Sequence, residues 1–158
     1  MVIKLELDVA AYGGIVSVAQ LLALKHWREN IDLAVHYGTL VRVRKGWVAS
    51  PEVPEPILRA WRIGGTLACA SAVEYHLGTD IAEPLHVLVP SNATGFRRPH
   101  DQRARFVAGD AVIHWAATPE GGRDLVAPLG AALRQAARCR GLGAGASRGI
   151  PQPTGDTL

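Results

Sequence analysis

The first fifty residues constrain the fold more tightly than anything after them. Ile3 to Tyr12 mixes apolar and polar positions as a short helix does, and Gly13-Gly14 ends it. Ile15-Val16 reads as a brief extended piece. Ser17 then stands as an N-cap before the apolar run Val18, Ala19, Leu21, Leu22, Ala23, Leu24. Lys25-His26-Trp27 breaks that run. A second periodic segment spans Arg28 to Tyr37, with Ile31, Ala34 and Val35 at i, i+3 and i+4 and Gly38 as its stop. From Thr39 to Ala49, Leu40, Val41, Val43, Trp47 and Val48 favour strand, and Lys45-Gly46 falls where a tight hairpin turn would sit. Alternation places Val41 and Val43 on one face of that hairpin and Arg42 and Arg44 on the other.

Three helices followed by a basic hairpin is the order of a winged helix-turn-helix. The apolar stripes of its second and third helices are buried only against each other, which accounts for the short turn between them. The fold class expected is α+β: an N-terminal winged helix-turn-helix over residues 1–50 and a small α+β domain over residues 55–140. Pro51, Pro54 and Pro56 mark a linker. Beyond it, Ile57 to Ile63 reads as helix, Gly64-Gly65 as a break, and Leu67 to Leu77 as an Ala-rich helix. Leu85 to Pro90 and Ala111 to Ala116 read as strands. The Arg-rich stretch between them, Ser91 to Asp110, is expected to be mobile in part. Pro128 to Arg140 is a last amphipathic helix, and the Gly- and Pro-containing segment 141–158 is expected to be a disordered tail. No internal repeat is present.

A chain of 158 residues, 48% hydrophobic, is long enough for one domain or two small ones sharing a core. The uncharged stretch Ile63 to Val73 has 11 residues, against the roughly 20 needed to cross a bilayer. Lys4, Glu6 and Asp8 spoil a secretory signal at the start. The expectation is a cytoplasmic protein with no membrane partner. Two cysteines, Cys69 and Cys139, are too few for a disulfide framework and are expected to be small buried hydrophobes.

Net charge is only +3, but 14 of the 17 basic residues are Arg, the side chain suited to bidentate contact with phosphate and guanine. Distribution says more than the total. Arg42, Arg44 and Lys45 lie on one short hairpin with no acid between Thr39 and Ala49, and such a cluster is relieved by a phosphate backbone. Arg97, Arg98, Arg103 and Arg105 form a second cluster, offset by Asp101. A recognition helix offers its N-terminal part to base edges in the major groove. The candidate DNA-binding residues there are Trp27, Arg28, Glu29, Asn30, Asp32 and His36, joined by Arg42, Arg44, Lys45, Arg97 and Arg98. Arg28 could read guanine and Asn30 adenine, whereas Glu29 and Asp32 would accept from cytosine or brace nearby Arg side chains. A surface helix with ordinary charges, or one used for protein contact, fits the same residues.

No catalytic residues are expected. Gly145-Ala146-Ser147-Arg148-Gly149 matches G-x-S-x-G without the strand and helix a nucleophile elbow needs. Gly141 to Ala146 matches a dinucleotide fingerprint but follows a helix rather than a strand. Of the six histidines, His86 and His114 sit in separate expected strands, and His26, His36, His76 and His100 are scattered with no Cys or carboxylate at ligand spacing, so no metal and no cofactor are expected.

The stretch from Gly13-Gly14-Ile15-Val16-Ser17-Val18-Ala19-Gln20-Leu21-Leu22 through Gly38 to Ala49 resembles the N-terminal domain of actinobacterial AbiEi-type antitoxins, the regulators of type IV toxin–antitoxin systems. The resemblance continues through Arg59 to Ala72, through Leu85-His86-Val87-Leu88-Val89-Pro90, and to Val112-Ile113-His114-Trp115. It implies a winged helix that binds operator repeats in its own promoter, with the recognition helix on Trp27–Tyr37 and the wing on Leu40–Val48. It also implies a second domain with an antitoxin-type or regulatory role. Glu29, Asp32 and Leu33 depart from the family's more Arg-rich helix. A phage or prophage repressor could use the same scaffold. The function expected is a promoter-binding transcriptional repressor whose partners are double-stranded DNA and a further copy on operator repeats, with a toxin as a further candidate partner. The alternative is an interaction module that binds a partner toxin without DNA.

Overall fold

The computed structural model describes residues 2–119 and 124–140. Among them are six helices and three small sheets, a mixed α and β architecture. Helix α1 (Val2–Ala11) turns Leu5 and Val9, one helical turn apart, into the interior and leaves Ile3 and Leu7 in solvent. The chain extends through β1 (Ile15–Ser17) and enters α2 (Val18–Ala23) through a capping box. Ser17 Oγ accepts from the Gln20 amide at 3.1 Å, and Gln20 Oε1 accepts from the Ser17 amide at 3.0 Å. Helix α3 (Arg28–His36) buries Ile31 and Ala34 and stops ahead of Gly38, whose φ is +78°. His26, in the turn between the two helices, sits 2.6 Å from the Asp8 carboxylate and clasps that turn to α1.

Strands β2 (Val41–Arg44) and β3 (Trp47–Ala49) form the hairpin, and β3 lies at the centre of an antiparallel sheet ordered β1-β3-β2. The pleat sends neighbouring residues to opposite faces. Val16 and Val48 meet the three helices, while Ile15, Val43 and Ala49 meet Ile57 and Leu58 of α4 (Glu55–Ile63). One interior therefore runs from the first fifty residues into the rest. A bulge between Arg42 and Arg44 modifies the expected alternation: Val43 is fully buried, Val41 and Arg44 are half-buried, and Arg42 is exposed.

Helix α4 begins earlier than the proline spacing suggests. Pro54 is its N-cap and Pro56 lies in its first turn, where a missing N–H costs nothing. Leu67, expected in a helix, belongs instead to strand β4 (Thr66–Leu67). Its amide donates to the Leu125 carbonyl and its carbonyl accepts from Ala127, which holds it extended. Gly65, just before it, lies where a Cβ would fall 2.1 Å from the Leu88 carbonyl oxygen. Helix α5 (Cys69–Leu77) follows. Strands β5 (Leu85–Val89) and β8 (Ala111–Trp115) pair in parallel, with β4 antiparallel on the other edge of β5. Leu85, Val87 and Val89 pack toward Ala60 and Ile63 of α4. On the opposite face, Leu88 lies against the alanines of α5 and of α6 (Leu129–Arg140), with Ala68, Ala72 and Ala132 packed close.

The segment expected to be partly mobile contains a second hairpin, β6 (Arg97–Arg98) and β7 (Asp101–Arg105). Its base is anchored by Phe96, which packs edge-on to Phe106 and tilts onto Trp115. The expected tail, with the G-x-S-x-G and dinucleotide-like matches, lies outside the described residues. Among the described residues no helix is long and apolar enough to cross a membrane.

Candidate nucleic-acid interface

The two Arg clusters, far apart in sequence, come together. Arg62 of α4 accomplishes this: its Nε donates to the Val43 carbonyl at 3.2 Å, and its Nη1 to the Pro99 carbonyl in the β6–β7 turn. Arg44 adds a bond from Nη2 to the Gly95 carbonyl at 3.2 Å. Gly64, at the end of α4 with φ +139°, leaves the space this junction needs, since a Cβ there would come within 3.0 Å of Phe96 and 3.1 Å of the Arg44 guanidinium.

The result is a groove of about 600 Å³ lined by Arg42, Arg44, Lys45, Arg97 and Arg103 with Gln102 and Gly95, and no carboxylate. A neighbouring hollow shares Arg42 and Arg103 and adds Arg62 and His100, together with the acids Glu55 and Asp101. Burial, and then the charge of Arg97, hold the Arg44 guanidinium below its ordinary pKa. It nevertheless stays protonated at any physiological pH. Five cations focused on one concavity attract an anion and repel each other without one.

Of the sequence-predicted residues, Arg42, Arg44, Lys45 and Arg97 line this groove, and Arg103 joins them. Arg98 does not. Its guanidinium donates to Asp110 at 2.9 Å, and Asp110 also accepts from the Val107 amide. On α3, Arg28, Glu29, Asp32 and His36 are exposed, as is Trp27 at its N-cap, while Asn30 is half-buried. Asp32 reaches Arg42 at 3.5 Å, so it braces the hairpin from outside, and no α3 residue lines the groove. Leu33 and Tyr37, 51% and 75% exposed, share the outward side of α3 with these charges. Sequence reasoning missed Arg62 as the clamp, because only the packing of α4 between the two hairpins gives it both carbonyls.

A second constellation corrects the reading of the cysteines and histidines as unrelated. Cys69, His86, His114 and Cys139, from α5, β5, β8 and α6, bring one donor atom each to within 4.8 Å of all the others. Cys69 is buried, while Cys139 and the two histidines are half-buried. The imidazoles stack with centroids 5.3 Å apart, and Nδ1 of His86 lies 3.0 Å from Nε2 of His114. Burial lowers both pKa values. For His86 the charge of Glu74 opposes that shift, and for His114 the proximity of His86 reinforces it, to about 4. Cys69 has φ +51°, a left-handed conformation that costs a non-glycine residue about 1–2 kcal/mol.

No family model matches the chain, and the comparison with curated proteins likewise finds no match.

Proposed function

We propose that the chain is a DNA-binding transcriptional regulator without catalytic residues. In this reading the first fifty residues act as a winged helix-turn-helix, and the protein occupies a promoter so as to exclude polymerase. The observation that carries it is the acid-free groove where the β2–β3 hairpin and the β6–β7 hairpin contribute five cations to one surface. Phosphate contacts position a protein on a duplex, and side chains on a helix read the bases. The groove suits the first task, with Arg28, Asn30 and His36 of α3 left for the second. The order α1-β1-α2-α3-β2-β3 and the resemblance to AbiEi-type regulators support the same reading. Repeats in the operator would seat more than one copy.

Binding to DNA from the chain's own upstream region, followed by anisotropy at several salt concentrations, tests it. Five released counterions predict a log–log salt slope of about −4.5. The double substitution Arg42→Glu/Arg103→Glu should weaken binding about 100-fold at about 0.1 M salt, with the melting temperature lowered only slightly by loss of the exposed Arg42–Asp32 pair. No preference for that DNA over random sequence at low salt would overturn the proposal.

A second reading, a protein-interaction module that holds a toxin without DNA, is favoured by one observation. Leu33 and Tyr37 are exposed beside Glu29 and Asp32 on α3, a face better suited to protein than to phosphate. Under that reading Leu33→Ser abolishes function and the Arg42→Glu/Arg103→Glu protein keeps it.

A further inference from the structure

We propose that Cys69, His86, His114 and Cys139 form a tetrahedral zinc site that pins α5 and α6 to the second sheet. The proposal is independent of DNA binding and rests on placement. His86 and His114 lie on one face of the parallel β5–β8 pair, whose register sets His114 opposite Leu88, one pleat along from His86. Cys69 opens α5, and Cys139 lies in the last turn of α6, the helix packed along α5. Two thiols and two imidazoles are the donor set zinc prefers, and a site with four protein donors has no open position, as structural rather than catalytic zinc requires.

The dimensions fit. Zinc bonds of ~2.0–2.1 Å to nitrogen and ~2.3 Å to sulfur imply donor–donor edges of about 3.3 to 3.8 Å. The facing nitrogens are already 3.0 Å apart and no donor pair exceeds 4.8 Å, so small side-chain rotations would close the tetrahedron. Neighbouring groups hold the donors in place. The Cys69 amide donates to Gln135 Oε1 at 3.0 Å, one turn of α6 before Cys139. The His86 amide donates to the Ser71 hydroxyl at 2.8 Å, and its carbonyl accepts from the Ala68 amide at 3.0 Å. These contacts span both helices and the strand and hold in place the backbone that carries Cys69 and His86. The left-handed φ of Cys69 belongs to the same arrangement: it turns the chain sharply from β4 into α5 at the ligand itself. The divalent ion would also offset the charge of two thiolates brought together at a partly buried site.

Metal content of the full chain, purified from zinc-containing medium under a phosphine reductant, tests this directly. The expected result is one zinc per chain. Exchange for cobalt should give thiolate-to-metal charge transfer and the intense visible bands of tetrahedral cobalt. Chelation should lower the melting temperature, and added zinc should restore it. Cys139→Ser, a near-isosteric change at a half-buried position, and His114→Ala should each weaken zinc binding by at least ~10-fold. Absence of zinc from the reduced protein, an octahedral cobalt spectrum, undiminished zinc in Cys139→Ser, or a Cys69–Cys139 disulfide in its place would each overturn the proposal.

Discussion

Beside the β2–β3 hairpin, five cations line one groove open to water; between α5, α6 and the second sheet, two imidazoles and two thiols are gathered at a partly buried point, Cys69 fully out of solvent. The groove holds like charges together, relieved only at Arg42 by Asp32, until an anion arrives. Its exposed members, Arg42, Lys45 and Arg103, are replaceable without loss of the fold, because exposed charges contribute little to stability, whereas half-buried Arg44 also ties the two hairpins together through the Gly95 carbonyl. The Cys-His cluster is the reverse. Its donors come from four elements that must be packed correctly before they can meet, so any change in that packing is felt there. Binding and stability should therefore separate along this line.

The largest expected effect tests that separation from the packed side. Ala72 is fully buried, one helical turn beyond Cys69 on α5, in the alanine layer that lets α6 approach. Ala72→Leu should force the two helices apart and cost about 2–3 kcal/mol in a denaturant titration. Zinc affinity should fall with it, because Cys139 moves with α6. DNA affinity at 25 °C should stay within about 3-fold of the parent, since no groove residue lies on α5 or α6. Equal loss of both would show that the two regions are mechanically coupled through the Ile15–Val43–Ile57–Leu58 interior, and would break the comparison.

The same contrast explains what could be read along the chain. Ser17 as a cap, the Ile31–Ala34 stripe, the stop at Gly38 and the turn at Lys45-Gly46 all depend on residues within a few positions of each other, and local patterns report them. Leu67 is extended because Leu125 to Ala127 pairs with it, and nothing within its own segment shows this. The β6–β7 hairpin reads as partly mobile from sequence because its polar strands conceal that Phe96 and Phe106 anchor their ends. Arg97 and Arg98 are adjacent and chemically identical, yet the bulge between them sends one into the groove and the other to Asp110. The four donors are illegible in the sequence for the strongest form of this reason. Metal-ligand spacing is recognisable when ligands share a turn or a knuckle, and here each comes from a different element.

A smaller effect is expected where local pattern and structure agree. Ser17→Ala removes the hydroxyl that caps α2 and leaves the Gln20 amide without its acceptor, at a cost of about 1 kcal/mol. Ser17→Asp, which can cap in the same way, should restore most of it. Both changes act on the three-helix core, so zinc content should be unaffected in either protein. A drop in zinc content would place the metal site and α2 in one cooperative unit.

The smallest effect is the most discriminating for the groove. If a basic residue mattered only through its contribution to net charge, Arg98→Ala and Arg103→Ala would weaken DNA binding alike. The structure separates them: Arg103 faces the shared concavity, whereas Arg98 is held by the 8%-exposed Asp110 side chain. Arg103→Ala should weaken binding severalfold and reduce the salt slope by ~1. Arg98→Ala should change affinity by less than about 2-fold and leave the slope alone, because its charge is already compensated within the hairpin. Asp110→Asn then supplies the complement. It releases the Arg98 guanidinium while keeping an oxygen for the Val107 amide, and the freed cation should tighten binding slightly, in a manner lost at high salt. If Arg98→Ala instead matches Arg103→Ala, the phosphate path runs over the outside of the β6–β7 hairpin rather than along the groove beneath it.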